Sequence, residues 1–130
     1  MVDLSRTDPT ALLLQSQLSG SDRLTPFARD ILLVECHVAG TSHRELTAVA
    51  SRLAPGQLLS LRRDPGNAHD QFAIRVSEPG GADLGFVPQV KNETLARLMD
   101  AGKTLFGRID GVQYEGSWLR IDVTLFLRDF

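Results

Sequence analysis

The amino-acid sequence predicts a mainly β protein, a small barrel of five or six short strands with two internal helices. Short segments of alternating apolar and polar residues recur between residues 31 and 127, separated by turns rich in glycine and proline. Two other segments have helical spacing. Strands and helices do not alternate in the βαβ pattern of a parallel sheet, so a small antiparallel barrel is favoured.

The first 30 residues differ from the rest, and we treat residues 1–30 as an N-terminal extension to a domain over residues 31–130. Asp8 and Pro9 fit the cap and the first position of a helix over residues 10–18. A helix this short is marginal unless it packs. Three interpretations stay open: a helix packed on the domain, a docking peptide for a partner, or a partly disordered lead-in.

The first predicted strand covers residues 31–38, where apolar side chains fall on one face at period two. Apolar residues at helical spacing follow over residues 45–53, and the Pro-Gly pair after them ends that helix. The second strand covers residues 57–63, with Leu59 and Leu61 on its inner face.

Two more strands, a helix and a closing hairpin complete the prediction. Their ranges are 72–76 and 83–87 for the strands, 92–101 for the helix, and 104–112 with 118–127 for the hairpin. Asn92 is the predicted cap of the helix. The second hairpin strand has an unbroken apolar face at period two, which is typical of a sheet buried on one side.

Composition limits the range of functions. The 14 Lys and Arg against 16 Asp and Glu give a net charge of −2, so release of counterions from many phosphates cannot drive binding to a long duplex. A small local site or a chain end fits better. The single cysteine, Cys36, excludes an intrachain disulfide. We expect a soluble, cytoplasmic protein, because neither a signal peptide nor an apolar run of ~20 residues is seen.

A polar loop between the second and third strands is the most informative segment. It leaves the strand at Arg62 and Arg63 and carries Asn67, His69 and Asp70, which have no evident role in a core. Loops with donors, acceptors and a titratable ring often form binding sites. Asp70 and Asn67 also fit a structural role, because such side chains hydrogen-bond backbone amides in turns.

Four motifs occur in order along the chain: VAGTSH at 38–43, PGQLLSL at 55–61, RRDPGNAHDQFAIRV at 62–76 and LGFVP at 84–88. Each motif alone is weak, but the four in this order and at these intervals are specific. Through these motifs the chain resembles the HIRAN domain family over roughly residues 33–127.

The resemblance implies an OB-like six-stranded β-barrel with two helices, found at the N-terminus of certain DNA-repair helicases. It further implies binding of single-stranded DNA, in particular a free 3′-hydroxyl end, in a repair or replication-fork context. By motif position Asp70 would accept the 3′-hydroxyl. His69 and His43 stand where well-understood members carry tyrosines, Ser42 where they carry an arginine, and Lys91 near a phosphate contact.

These departures weaken the expected site. Histidine is a smaller stacking surface than tyrosine, whereas stacking contributes ~1–3 kcal/mol per base. A serine at position 42 lacks the phosphate contact of the arginine, and Arg44, two residues on, could replace it. The chain contains neither a helicase phosphate-binding motif nor zinc-binding cysteine pairs, so we expect a binding module and not an enzyme.

These observations together give the candidate DNA-contact residues. Arg62 and Arg63 lie on opposite faces of the strand, so only one of them serves the site. The candidates are Asp70, His69, His43, Asn67, Arg44, Ser42, Arg62, Arg63, Phe72, Phe86, Lys91 and Asn92. We expect no cofactor and no metal.

Two alternatives remain. One is a protein-interaction module that docks a DNA-processing helicase or nuclease, indicated by the near-neutral charge and the leucine-rich N-terminal segment. The other is a metal-assisted hydrolase that uses His43, His69 and Asp70, although their spacing matches no metal-ligand motif.

Overall fold

The computed structural model describes residues 29–129, to which all structural statements below refer. The predicted helix over residues 10–18 lies outside them. In chain order the elements are β1 (Arg29–His37), a 3-10 helix (Thr41–His43), α1 (Thr47–Ala50), β2 (Leu58–Arg63), β3 (Ile74–Ser77), β4 (Asp83–Phe86), α2 (Gln89–Asp100), β5 (Thr104–Glu115) and β6 (Trp118–Asp129). None of these helices is both long enough and apolar enough to cross a membrane.

The six strands form one curled sheet in the order β1-β6-β5-β2-β3-β4. The pairings from β6 through to β4 are antiparallel. The hairpin of β5 and β6 is the longest pairing, and it runs from Thr104 opposite Arg128 to Glu115 opposite Trp118. The predicted apolar face of β6 is confirmed, because Leu119, Ile121, Val123 and Leu125 are all buried.

A short bridge closes the sheet at one end. Ala39, just after β1, and Phe86, at the end of β4, exchange two backbone hydrogen bonds of 2.8 Å. These residues come from the two edges of the sheet, so the bridge turns the curled sheet into a partly closed barrel. The predicted six-stranded OB-like fold with two helices is thereby confirmed.

Gly85 makes this close approach possible. A Cβ atom at this position would overlap the carbonyl oxygen of Ala39 and lie 2.8 Å from Cγ1 of Val38. The backbone here also has a φ of +154°, which residues with side chains rarely adopt. The glycine of the LGFVP motif is therefore required by the barrel seam.

The core fills the barrel interior and is covered by α2. Almost fully buried apolar side chains come from most strands, and removing them from water is the main favourable term in folding. They include Leu59, Ile74, Val76, Leu84, Ile109, Ile121, Val123 and Leu125, with Leu95 and Ala96 from α2.

Three predicted elements differ from the structure. The helix expected over residues 45–53 is a single turn, Thr47–Ala50. The apolar spacing there has another cause, because Leu46 and Leu53 flank the turn and anchor it in the core. The third strand begins at Ile74 and not at residue 72, since the backbone before it is still turning through a hydrogen bond from Ala73 N to Asp70 O.

The third difference concerns Asn92, which is not a helix cap. Helix α2 begins at Gln89, and Pro88 is its cap residue. Proline suits a helix start because its φ is fixed and the first turn needs no N–H from it. Asn92 therefore lies within the helix, where its side chain is buried.

Candidate functional site

Asn67 organises the loop between β2 and β3. Its Oδ1 accepts hydrogen bonds from the backbone amides of His69, at 2.8 Å, and Asp70, at 3.1 Å. Its Nδ2 donates to Oδ2 of Asp64 at 3.2 Å. One side chain thus satisfies two loop amides and fixes the turn before Asp70. Within residues 29–129, the hydrogen bonds of the Asn67 side chain thus serve to hold the loop in shape.

The Asp70 carboxylate is held from two sides. Its Oδ1 accepts from the backbone amide of Phe72 at 2.9 Å, and its Oδ2 accepts from Nδ2 of Asn92 at 2.6 Å. Asn92 is only 2% exposed, so its amide is a fixed donor. Each carboxylate oxygen has a second acceptor site. Asp70 is therefore oriented and still able to accept a hydrogen bond from a ligand.

A cleft of about 240 Å³ opens beside this carboxylate. The two bridge residues of the barrel seam contribute to its wall, together with residues of the loop and the start of α2. The lining residues are Ala39, Asn67, His69, Asp70, Ala73, Phe86, Val87 and Gln89. At ~30 Å³ per water molecule, the cleft has room for a single small ring system with its substituents.

Two arginines flank the aromatic ring of Phe86. The guanidinium carbon of Arg75 lies 5.3 Å from the ring centroid and that of Arg44 lies 5.4 Å from it. These distances are those of cation–π contacts. Arg44 thereby brings the loop after β1 next to the cleft, while Phe86 itself is half-buried.

Arg75 is a residue that the sequence analysis missed. It forms ion pairs with Asp64 at 3.1 Å and with Asp83 at 3.2 Å. The hydrogen bond from Ser77 and the positive charges of Arg75, Arg44 and Arg62 hold the pKa of Asp83 below its usual value. The sequence could have indicated Arg75, because this arginine lies between the apolar residues of β3 directly after the loop.

Arg62 and Arg63 have different surroundings. Arg62 is exposed, and its nearest carboxylate is that of Asp83 at 4.0 Å. Arg63 is mostly buried and bonds to Asp100 at 2.9 Å, to the carbonyl of Ala73 at 2.7 Å and to that of Gln71 at 2.9 Å. Arg63 therefore fastens the loop to α2, and Arg62 is the arginine of the two that is open to a ligand.

The remaining candidates do not line the cleft. Ser42 and His43 are exposed on the 3-10 helix, which is anchored by a hydrogen bond from Thr41 Oγ1 to the carbonyl of Leu119. Phe72 packs against the core and lies under the guanidinium of Arg97. Lys91 faces a different cleft, which Cys36 and Arg120 also line. Burial raises the pKa of Cys36 to about 11, with Lys91 opposing the shift.

A metal site is not assembled from the side chains of residues 29–129. Within that range no three His, Cys, Asp or Glu side chains lie close enough together to hold an ion. His69 and Asp70 share the cleft, but His43 is not among its lining residues. The geometry therefore gives no support to the metal-assisted hydrolase.

Comparisons with known proteins match the sequence and the fold of the chain to a domain family. A family model described as the HIRAN domain matches residues 31–128. A crystal structure of a protein from Lactobacillus plantarum superposes with a TM-score of 0.73 and 25% identity, covering 79% of this chain and 99% of that one. The HIRAN domain of human HLTF superposes with a TM-score of 0.60 and 20% identity, covering 76% of this chain and 78% of that one. A search of curated proteins found no match.

Proposed function

Since the chain belongs to the HIRAN domain family, we propose that it binds single-stranded DNA at a free 3′-hydroxyl end. HIRAN domains are nucleic-acid-binding modules without known catalytic activity. The finer assignment, to a single strand and to its 3′ end, rests on the cleft beside Asp70. In this role the protein binds and does not catalyse.

The orientation of Asp70 is the observation that carries the proposal. Its carboxylate is fixed by Phe72 N and by the buried amide of Asn92, and it lines a cleft with room for one ring system of the terminal nucleoside. A 3′-hydroxyl can donate a hydrogen bond to a carboxylate. A 3′-phosphate is repelled by it, so the same group that attracts one end excludes the other.

The surrounding side chains supply the remaining contacts of a strand end. His69 lines the cleft and offers a ring for stacking, and Phe86 forms another part of the wall. Arg44 and Arg62 lie beside Phe86 and Asp83, where they can reach the phosphates of the terminal nucleotides. A few phosphate contacts are compatible with a net charge of −2, whereas a long duplex is not.

Under this proposal the protein acts in DNA repair or at replication forks, together with a helicase or nuclease that another protein supplies. We expect it to act in the compartment that holds the DNA, the cytoplasm.

Fluorescence anisotropy at low salt tests the proposal. The probes are short oligonucleotides with a free 3′-hydroxyl or a 3′-phosphate, and a blunt duplex. We expect the 3′-hydroxyl strand to bind at least about tenfold more tightly than the phosphorylated one, a difference of ~1.4 kcal/mol. Equal binding of both strand ends would overturn the end-binding proposal.

Substitution of Asp70 separates the hydroxyl contact from general affinity. Asp70→Asn should bring the two strand ends to nearly equal affinity, because it removes the charge that repels phosphate. Asp129→Asn, which removes an exposed carboxylate at the end of β6, is the matched control and should keep the preference. An equal loss of the preference for the 3′-hydroxyl end in Asp70→Asn and Asp129→Asn would contradict the role of Asp70.

A protein-docking function is the second candidate, favoured by the exposed apolar residues of β1. Ile31 and Leu32 are 39% and 54% exposed on a strand at the sheet edge. Edge strands are common sites of partner association. Under this function Leu32→Glu should abolish co-purification of a helicase or nuclease. Unchanged recovery of the same protein would count against β1 as its docking site.

A further inference from the structure

We infer that the outer face of the sheet carries a second single-strand contact, a track that leads from the cleft to Phe106 and Phe126. It would hold the nucleotides on the 5′ side of the bound end. The inference rests on the proposed function, because the strand that enters the cleft must continue somewhere. It adds contacts at Phe106 and Phe126, away from Asp70, with their own dependence on strand length.

Strand register places the track on one continuous face. In an antiparallel sheet, directly paired residues project to the same side. Two rows of such pairs cross the outer face, one starting at the cleft and the other next to it. The first row is Phe86, Arg75 and Arg62, and the second is Asp83, Ser77, Ser60, Phe106 and Phe126. The one carboxylate in these rows, that of Asp83, is paired with Arg75.

Phe106 and Phe126 form an aromatic pair on this outer face. Their ring centroids are 5.2 Å apart and the ring planes differ by 15°, so the rings are stacked. Both side chains are half-buried and face away from the core residues Leu105 and Leu125. The guanidinium carbons of Arg128 and Arg108 lie 4.8 Å and 4.9 Å from the two ring centroids.

A groove of about 390 Å³ runs beside Phe106 and reaches the inner-face residues Leu59, Leu61 and Leu105. It is lined by Leu58, Ser60, Pro79, Thr104, Phe106 and Arg128, among others. Leu58 is 53% exposed, which leaves an apolar surface open to solvent. The groove therefore offers a flat apolar wall, hydroxyl groups and a guanidinium plane in one place.

This combination fits a nucleic-acid strand. Bases stack on aromatic rings and on the planes of arginine side chains, and arginines also contact phosphates. Arg108 and Arg128 are paired with Asp110 and Asp30, so they contribute stacking planes more than free charge. Arg62 lies between the cleft and the groove with its nearest carboxylate 4.0 Å away, and it can reach a phosphate.

The length of the track sets the size of the bound segment. From Phe86 on β4 to Phe106 on β5, the first aromatic ring of the pair, the face spans three strand spacings of ~4.8 Å, or about 14 Å. At ~3.4 Å per stacked nucleotide this corresponds to about four nucleotides. With the terminal nucleotide in the cleft, the site covers about five. This lies within the range of ~4–16 nucleotides that OB folds bind.

Anisotropy with a series of oligonucleotides tests the track. All carry a free 3′-hydroxyl, and their lengths run from about two to about eight nucleotides, which spans the proposed site size. We expect affinity to rise up to about five nucleotides. Phe106→Ala should lower the affinity of the longest strand by about tenfold and leave that of the dinucleotide unchanged, because only the longer strand reaches the groove.

Two further variants sharpen the test. Arg62→Gln should lower the slope of log affinity against log salt by ~0.7 for the longest strand, the value for one phosphate contact. Tyr114→Ala removes another exposed aromatic side chain, near the hairpin tip. It should change the affinity of neither the longest strand nor the dinucleotide. Retained dinucleotide binding by Phe106→Ala shows that this variant folds.

Failure of the track and failure of end binding are distinguishable. If affinity does not rise beyond two nucleotides, or if Phe106→Ala weakens all lengths equally, the track is wrong while end binding stands. If long strands bind through Phe106 with no preference for the 3′-hydroxyl, the track stands and end binding is wrong. If Phe106→Ala changes only the oligomeric state measured by light scattering, the face is a contact between copies and the track is overturned.

Discussion

The side-chain amide of Asn92 donates a hydrogen bond of 2.6 Å to Oδ2 of Asp70 and so connects helix α2 to the loop that forms the cleft. The loop alone does not fix this carboxylate, because only Oδ1 is held from within the loop, by Phe72 N. The donor on α2 determines where the remaining acceptor positions of Asp70 face. Asn92 is thus a positioning residue for the candidate site.

Asn92→Ala should destabilise the fold and loosen Asp70. The loss of the buried amide and the space that it leaves should lower the free energy of unfolding by about 1–3 kcal/mol. The preference for a 3′-hydroxyl over a 3′-phosphate should fall with it. Urea unfolding and anisotropy measure the two effects. Thr94→Ala, at an exposed position of the same helix, is the control. An unchanged end preference in Asn92→Ala would show that α2 does not position the carboxylate.

Gly85→Ala should open or distort the barrel seam. The added Cβ meets backbone that cannot move aside, and the backbone conformation is itself strained for alanine. We expect a loss of at least about 2 kcal/mol in the free energy of unfolding. Gly66→Ala, where nothing lies within 4 Å of the added atom, should change it by less than ~0.5 kcal/mol. Similar unfolding midpoints for the two variants would contradict the proposed crowding at the seam.

Acid should weaken the contribution of Asp83 to stability. The Ser77 hydrogen bond and the nearby arginines hold the pKa of Asp83 below its ordinary value of 3.8. Because the folded-state pKa is the lower one, the stabilisation is present above the unfolded-state pKa and is lost as pH falls through the folded-state value. The difference in unfolding free energy between wild type and Asp83→Asn should therefore shrink between about pH 5 and about pH 2. Ser77→Ala should reduce that difference at neutral pH, and a difference that does not vary with pH would contradict the assignment.

Cys36 should react slowly in the folded protein. Burial raises the pKa of its thiol to about 11, so little of the reactive thiolate is present at neutral pH. Alkylation followed by mass spectrometry should show slow modification that accelerates as pH rises, and fast modification in urea. Lys91→Gln should slow the folded reaction further, since Lys91 opposes the shift. Equal rates in folded and unfolded protein would contradict the protection.

The strands were predictable where burial depends on local alternation. The apolar face of β6 follows from period two alone. The hairpin that contains β6 was also predicted, although both of its predicted strands end two or three residues too early. The helix expected over residues 45–53 was overextended because Leu46 and Leu53 match helical spacing while serving as anchors on either side of one turn. Local periodicity does not distinguish a helix face from two separate contacts with a core.

The candidate site was less predictable, because its geometry depends on contacts between distant segments. The loop of Asn67, His69 and Asp70 could be found from its polarity and its motif. The contact of Asp70 with Asn92 crosses 22 residues and gives no local pattern. The sequence left open which of Arg62 and Arg63 serves the site, and the contacts of Arg63 with α2 that distinguish them are again between distant segments. Arg75 was not among the candidates, and it lies against Phe86.

The barrel seam has one more consequence. Phe86 keeps the seam shut through its backbone and lines the cleft with its side chain, and Ala39 does the same from the other edge of the sheet. A molecule in the cleft touches both edges at once, so occupancy and closure are thermodynamically linked and each favours the other by the same free energy. A ligand that binds in the cleft would therefore stabilise the closed seam, and opening of the barrel would weaken the binding of that ligand by the same free energy.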